Sequence, residues 1–531
     1  MKKFVLVAIG GTGMRVAQSF VALAASGFLS DLSGTDYKLE IRLVDLDIVA
    51  DSDKIELEEM IRSLNDALPY LSIIVDADTA DLRWKPKGID GLRSLATPID
   101  DKSSLNDLLR DGYLADGESL AYHALFGEDD RTMVLRRGCK GKPRIGSLLW
   151  AEQFDQDWQN RGGFWQSIFD DIGENDELRI MFAGSVFGGT GASGTPTLVQ
   201  KYILACEKGE TGHTEQYAKH VALTLMLPYF DLGNDTDVDS TLFSINSKMA
   251  LKYYETSDIL DKVEFAQFVG DDRRQMEKKD ENGDWKRVRL DKECHTDEGQ
   301  NDPSMPAELM AAIGICRYFA NDTPKGNSIP YKVYVPLKLS NSDSQKDVPP
   351  EVAFPMNSFD YFPVSNGGTD TGAVSSVRDY ILRLERFCLM LGTYYRVSAS
   401  MKTKWYYRPE AFRTVWRKQK NLGETYDSYV EGVGAPLAFA EQMFRWLEEL
   451  DHHGLHPLLK IEGDPIQNNT NKPHIQQEVR EAAVKGSTDL NMLDIPCAKI
   501  TARMNSMRAD PRGATKYFVS SLMECCVLRA Q

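Results

Sequence analysis

Short apolar runs alternate with helical periodicities through the first half of the chain. Residues 4–9 (FVLVAI) have the length of a buried strand, a glycine turn follows, and 16–28 then carry apolar side chains at helical spacing. Residues 39–46 (LEIRLVDL) predict a second strand that ends in acids. Two further apolar runs, 177–183 (ELRIMFA) and 218–227 (AKHVALTLML), predict inner strands, and 242–255 predicts an amphipathic helix. Strand, turn, helix and strand in that order specify a doubly wound parallel sheet, because parallel neighbours need a crossover between them.

The pattern changes after residue 258. Residues 273–293 are highly charged and contain Asn282-Gly283, a strong hairpin signal, so a projecting β-hairpin is expected there. A helix over 306–320 and a strand over 331–339 follow, and then helical spacing dominates at 375–398, 409–420, 436–450, 475–484 and 514–528, with a polar linker at 463–473. These changes divide the chain into a doubly wound α/β domain (1–238), a connecting core helix (239–258), a smaller α/β domain with the hairpin (259–373) and a helical C-terminal region (374–531). There is no internal repeat.

Composition narrows the class. The 531 residues are 42% hydrophobic and 27% charged, as in ordinary globular proteins, which excludes a disordered or fibrous chain. With 79 acidic against 62 basic residues the formal charge is −17, so the chain lacks the broad positive footprint of a nucleic-acid binder. None of the eight cysteines forms a Cys-x-x-Cys pair, and Cys525 and Cys526 are adjacent, so reduced thiols in a cytoplasmic protein are expected. The apolar N-terminal run is broken by the glycine turn, by Arg15 and by Gln18, so it is no signal-peptide core. No stretch is long and apolar enough to span a bilayer.

Four loops carry anion-binding chemistry. The first is Gly10-Gly11-Thr12-Gly13 between a strand and a helix, where backbone N–H groups and a helix dipole favour a phosphate. The second, residues 184–196 (GSVFGGTGASGTP), places five glycines and four hydroxyl residues between an inner strand and a helix opening at Pro196. The third, 136–146 (RRGCKGKPRIG), mixes basic residues with Gly138, Gly141 and Gly146 ahead of a helix at 147–153. The fourth, 227–235 (LPYFDLGND), offers Asp231 to ribose hydroxyls.

In this order the loops resemble those of the tubulin/FtsZ superfamily. Gly188-Gly189-Thr190-Gly191 with the nearby Pro196 is similar to its GGGTG signature, with Phe187 in place of the first glycine. Gly10-Gly11-Thr12-Gly13 resembles its first phosphate loop, Asp45 stands where the second presents an acid, and 138–146, with Lys142, resembles the third. Residues 228–231 parallel its sugar-binding loop, and Asn246 stands where the family reads guanine. The resemblance implies a GTP/GDP-binding fold, with Mg2+ held mainly through the phosphates, that assembles head-to-tail into filaments or oligomers. It also implies GTP hydrolysis completed by an acidic loop of a neighbouring subunit, since phosphoryl transfer mainly requires positioning of the nucleophile. Residues 299–302 (GQND) with Glu308 are the candidate, Asp302 and Glu308 being its acids; acids at a helix N-terminus are the competing explanation. Nothing after residue 374 resembles the tail of either main branch, which points to a divergent prokaryotic or phage protein whose helical region contacts other proteins. The alternatives are a non-polymerising nucleotide sensor within a multiprotein assembly, such as an anti-phage defence complex, and a Rossmann-type dinucleotide enzyme.

The Rossmann reading lacks its third glycine, since Val16 stands there, and leaves the loop 184–196 without a use. A P-loop NTPase is excluded because no GxxxxGK[ST] occurs. Residues 402–420 interleave seven basic residues with five aromatics, a pattern that suits an amphipathic helix packing its rings inward, with a protein contact next and single-stranded nucleic acid last. His452, His453 and His456 read as a helix C-terminus rather than metal ligands, and Cys294-His295 has no second pair at metal spacing.

Overall fold

The computed structural model describes residues 2–34, 36–45, 52–72, 84–95, 104–109, 116–135, 139, 142–173, 176–208, 217–231, 241–271, 273–280, 282–288, 302–320, 331–337, 377, 380–388, 391, 426–453, 455, 466–468, 473–475, 516, 519–520, 522–523 and 526. Its centre is the predicted doubly wound sheet of seven parallel strands: β1 (Lys2–Ile9), β2 (Tyr37–Val44), β3 (Gly91–Ser94), β4 (Glu177–Ser185), β5 (Val221–Met226), β6 (Phe265–Asp271) and β7 (Tyr331–Leu337). They lie in the order β7-β6-β5-β4-β1-β2-β3. Strand β1 pairs with β2 from Lys2↔Tyr37 to Ile9↔Val44 and with β4 from Lys2↔Glu177 to Ala8↔Ala183. The winding therefore reverses between β1 and β4, and a crevice opens beyond their carboxyl ends, where ligands of such sheets bind.

Both faces of the sheet are covered, which explains why β1 reads as a continuous apolar run rather than an alternation. Phe4, Leu6 and Ala8 face one core and Val5, Val7 and Ile9 the other. The first core is closed by helices α1 (Gly10–Ser26), α2 (Ser52–Ala67), α6 (Pro306–Phe319) and α7 (Tyr426–His452). The second is closed by α3 (Pro143–Trp158) and α4 (Thr190–Glu207), and α5 (Thr241–Thr256) sends Tyr254 into it.

Several expectations are corrected. Helix α1 starts at Gly10, not at residue 16, so the first glycine turn is itself the opening turn of the helix; Gly27, at φ +87°, ends it in the left-handed conformation that favours glycine. Helix α4 likewise starts at Thr190, which puts Pro196 inside it rather than at its opening. The boundary expected near 238–259 does not interrupt the sheet: Ala222 pairs with Phe265, and Phe265 with Tyr331, so β6 and β7 extend the first sheet. The hairpin forms, with Glu277–Lys279 antiparallel to Trp285–Arg287 around Gly283 at φ +83°, but it does not project. Trp285 stacks on His452 of α7 at 3.6 Å and Lys279 pairs with Glu448 at 3.1 Å, because both strands offer groups complementary to that helix end. Of the C-terminal helices, 409–420 lies outside the described residues, as do 476–484 and most of 375–398 and 514–528; residues 466–468, within the expected linker, pair as a short strand with 473–475, which runs from the end of the linker into the expected start of a helix at 475.

Candidate functional site

The two glycine turns after β1 and β4 meet. Gly10 has φ +70°, and a Cβ on it would lie 3.3 Å from the Gly191 nitrogen and 3.3 Å from the Thr190 Cβ. Close backbone approach dictates glycine at two neighbouring positions as well. A Cβ on Gly13 would stand 2.6 Å from the Ala183 carbonyl, and one on Gly191 would stand 2.6 Å from Ser185 Oγ. Gly11, Gly188, Gly189 and Thr190 remain half-buried, so the turns face an open crevice with two helix N-termini behind it.

Two further predicted residues converge on this crevice. Thr190 Oγ1 donates to Asp45 Oδ1 at 3.3 Å, bringing the acid after β2 against the signature turn. Asn246, on α5, donates from Nδ2 to the Phe187 carbonyl at 3.1 Å. Phe187 is buried, and its ring lies 4.9 Å from Phe243, 5.4 Å from Phe230 and 6.1 Å from Tyr229. An aromatic cluster thus joins the signature loop, the start of α5 and the loop that ends in Asp231, which lies in a short strand paired with Gln275.

The third loop is bound elsewhere. Gly138 and Gly141 lie outside the described residues. Lys142 Nζ lies 2.7 Å from Asp130 Oδ1, and Arg144 pairs with the other oxygen of the same carboxylate. Burial opposes ionisation of Asp130, but the two cations hold its pKa below the usual value. Both cations are thus partnered within the chain rather than directed at the glycine turns. Helix α3 nevertheless packs close: a Cβ on Gly146 would stand 2.9 Å from Cys139 Sγ and collide with Ser193 of α4.

A buried cluster beneath the first glycine turn was not legible in the sequence. Arg15, in the second turn of α1, is 2% exposed. Its Nε donates to Glu308 at 2.7 Å, and one terminal nitrogen donates to both Asp53 at 3.0 Å and Asp302 at 3.1 Å. The other donates to Thr12 Oγ1 and to the Tyr229 hydroxyl, each at 3.3 Å, and Tyr229 in turn donates to Glu308. A Cβ on Gly11 would lie 2.5 Å from Asp53 Oδ2, so this acid borders the glycine turn directly. Burial would lower the Arg15 pKa, but Tyr229, Glu308, Asp53 and Asp302 drive it well above its ordinary value. Burial raises Glu308 and drives Asp53 well above the carboxylate range against the pull of Arg15. Asp53 Oδ1 and Asp302 Oδ1 are buried and have no hydrogen-bond partner.

Asp302 and Glu308, the acids that the resemblance assigns to a site shared with a neighbouring subunit, are both engaged within their own chain. Glu308 has no exposed surface and accepts from the Met305 amide at 2.8 Å, as a helix-capping acid does. Asp302 is held by Arg15 of its own chain with 12% of its side chain exposed; residues 299–301 lie outside the described residues. Among the described residues no group of three or more His, Cys, Asp and Glu side chains is arranged to hold a metal, and no helix is long and apolar enough to cross a membrane. His453 accepts from the Glu277 amide at 3.1 Å and His452 lies 2.9 Å from Glu277 Oε2, so both clamp the hairpin; His456, Cys294, His295 and 402–420 lie outside the described residues.

No protein-family model matches the chain, and no curated protein does. Solved structures that align with it include two tubulin/FtsZ-family proteins, the family its loops resemble. One is a GDP-bound monomer of CetZ1 from Haloferax volcanii, at 13% identity and TM-score 0.25 over 50% of this chain and 51% of that one. The other is a GTPγS-bound protofilament of CetZ2 from the same organism, at 13% identity and TM-score 0.27 over 61% and 60%. The chain thus spans about half to three-fifths of the structures it matches, and at that identity and TM-score they place no residue of the site.

Proposed function

We propose that this chain is a tubulin-like guanine-nucleotide-binding protein that self-assembles. The observation that carries the reading is how closely the two glycine turns meet at the switch point of the sheet, where a Cβ on Gly10 would stand 3.3 Å from the Gly191 nitrogen, a geometry that suits one anion cradle shared by both turns. The N–H groups of 10–13 and 188–191 would hold the phosphates, Asp45 borders them, and Asp231 and Asn246 stand on the side of the ribose and base. Mg2+ would bring its positive charge to the phosphates. A Rossmann cofactor would leave the second turn without a partner.

Hydrolysis, if it follows binding, needs a group other than Glu308, whose carboxylate is committed to Arg15, Tyr229 and the Met305 amide. The same commitment favours the second reading, a nucleotide sensor that binds without polymerising. It is supported by the packing of α7 on α1, where Trp446 Nε1 donates to Ser19 Oγ at 3.2 Å. High-speed pelleting in GTP and in GDP separates the two readings. Assembly above a critical concentration in GTP alone is expected, whereas a monomer indifferent to nucleotide and concentration would leave only the sensor.

A further inference from the structure

We infer that Asp53 and Asp302 are direct ligands of a divalent cation seated between the Arg15 cluster and the nucleotide phosphates; this rests on the nucleotide reading above. Each carboxylate spends one oxygen on the same Arg15 nitrogen, at 3.0 and 3.1 Å, which brings the two groups side by side. The second oxygen of each is buried and unpartnered, and Asp53 as a residue is only 7% exposed. A buried acceptor left unsatisfied is costly, more so when charged, so two on neighbouring carboxylates call for a ligand that is not a hydrogen-bond acceptor. Arg15 cannot supply it, because its three nitrogens already serve Glu308, Asp53, Asp302, Thr12 and Tyr229.

Charge and position select the ligand. Glu308, Asp53 and Asp302 face one guanidinium; fully ionised they would carry an excess of two negative charges, which one divalent ion would cancel in place of the protons that burial otherwise favours. Asp53 Oδ2 lies 2.5 Å from where a Gly11 Cβ would stand, so the Asp53 carboxylate borders the turn assigned to the phosphates, and Asp302 is joined to it through the shared Arg15 nitrogen. Mg2+ characteristically takes one or two carboxylates plus phosphate oxygens and waters, not a cage of protein ligands. Two acids with no third ligand suit that mode, and among the described residues no larger preformed metal site exists.

The test uses the full chain, stripped with EDTA and titrated with Mn2+ alone and with Mn2+ plus GDP, free Mn2+ being read by its paramagnetic resonance signal. One Mn2+ per chain is expected, bound at least tenfold tighter with GDP. Asp53→Asn and Asp302→Asn should each weaken it at least tenfold while GDP retention in EDTA stays within threefold. Equal Mn2+ affinity in wild type and both variants would overturn the proposal and leave the nucleotide reading intact, the phosphates alone then holding the ion. No Mn2+ binding in either condition would also overturn it, protons then neutralising the acids. Aspartate-dependent Mn2+ binding in a chain that takes no GDP would keep the metal site and sink the nucleotide reading. Should a variant fail to fold, Fe2+ with peroxide on the wild-type chain decides: cleavage beside Gly11, Asp53 and Asp302 supports the site, and cleavage only elsewhere refutes it.

Discussion

At the scale of single residues, the molecule is governed by backbone approach and by charge taken out of water. Gly191 exemplifies the first, since an added Cβ would stand 2.6 Å from Ser185 Oγ and 2.7 Å from the Ser185 nitrogen, and backbone cannot yield as a side chain can. Gly191→Ala should cost about 1–3 kcal/mol of stability and weaken GTP binding, as measured by urea unfolding and equilibrium dialysis. Gly434→Ala, in α7 with nothing within 4 Å, should instead gain about 0.5–1 kcal/mol. Glu449 exemplifies the second. Burial, the neighbouring Glu56 and, to a lesser degree, Glu308 raise its pKa to about 8 against the pull of Lys278 and the Ser304 amide. Its folded pKa lies above the unfolded value of 4.5, so the folded state binds the extra proton. Its contribution is therefore fully present below pH 4.5 and is lost as pH rises through 8. Unfolding free energy should fall between pH 5 and 8, by at most about 1.4 kcal/mol per pH unit for each such proton. Glu449→Gln should flatten that slope, and an unchanged slope would show that this carboxyl is not the one titrating. The buried Arg15 was visible in the sequence only as a charge in an apolar helix. Its partners lie 38, 287 and 293 positions away, a distance that no local pattern spans.

At the scale of elements, periodicity located five of the seven described strands of the sheet, because both faces are buried and the apolar runs are short, and missed β3 and β6. It failed at element starts. Glycines in 10–13 and 188–191 read as loop by composition, yet α1 and α4 open within them, because the turns are held by tertiary approach to Ala183 and Ser185 rather than by propensity. Charge also misled in the hairpin, whose polar strands suggested exposure while Trp285, His452 and His453 seat it on α7. Trp285→Ala should lower stability by about 1–2 kcal/mol in urea unfolding through loss of that stack, with GTP binding unchanged. A parallel loss of nucleotide would mean that the hairpin belongs to the site.

At the scale of the whole molecule, one sheet edge gathers residues from most of the chain's first half, and α6 and α7 close the core beneath it. The glycine turns were legible in sequence because glycine is demanded there by geometry and little else substitutes. The committed pairing of Lys142 with Asp130 and of Glu308 with Arg15 was not, because it depends on which of several charges lies nearest in space. What unites these levels is the proposed cradle for phosphates where the winding reverses between β1 and β4. The most direct test is to release whatever small molecule co-purifies with the chain and identify it by mass and chromatography. The account predicts GDP or GTP, near one per chain, and its loss in Gly189→Asp, where a carboxylate would enter the cradle. A nicotinamide or flavin dinucleotide, or retention of guanine nucleotide by Gly189→Asp as by the wild-type chain, would contradict it.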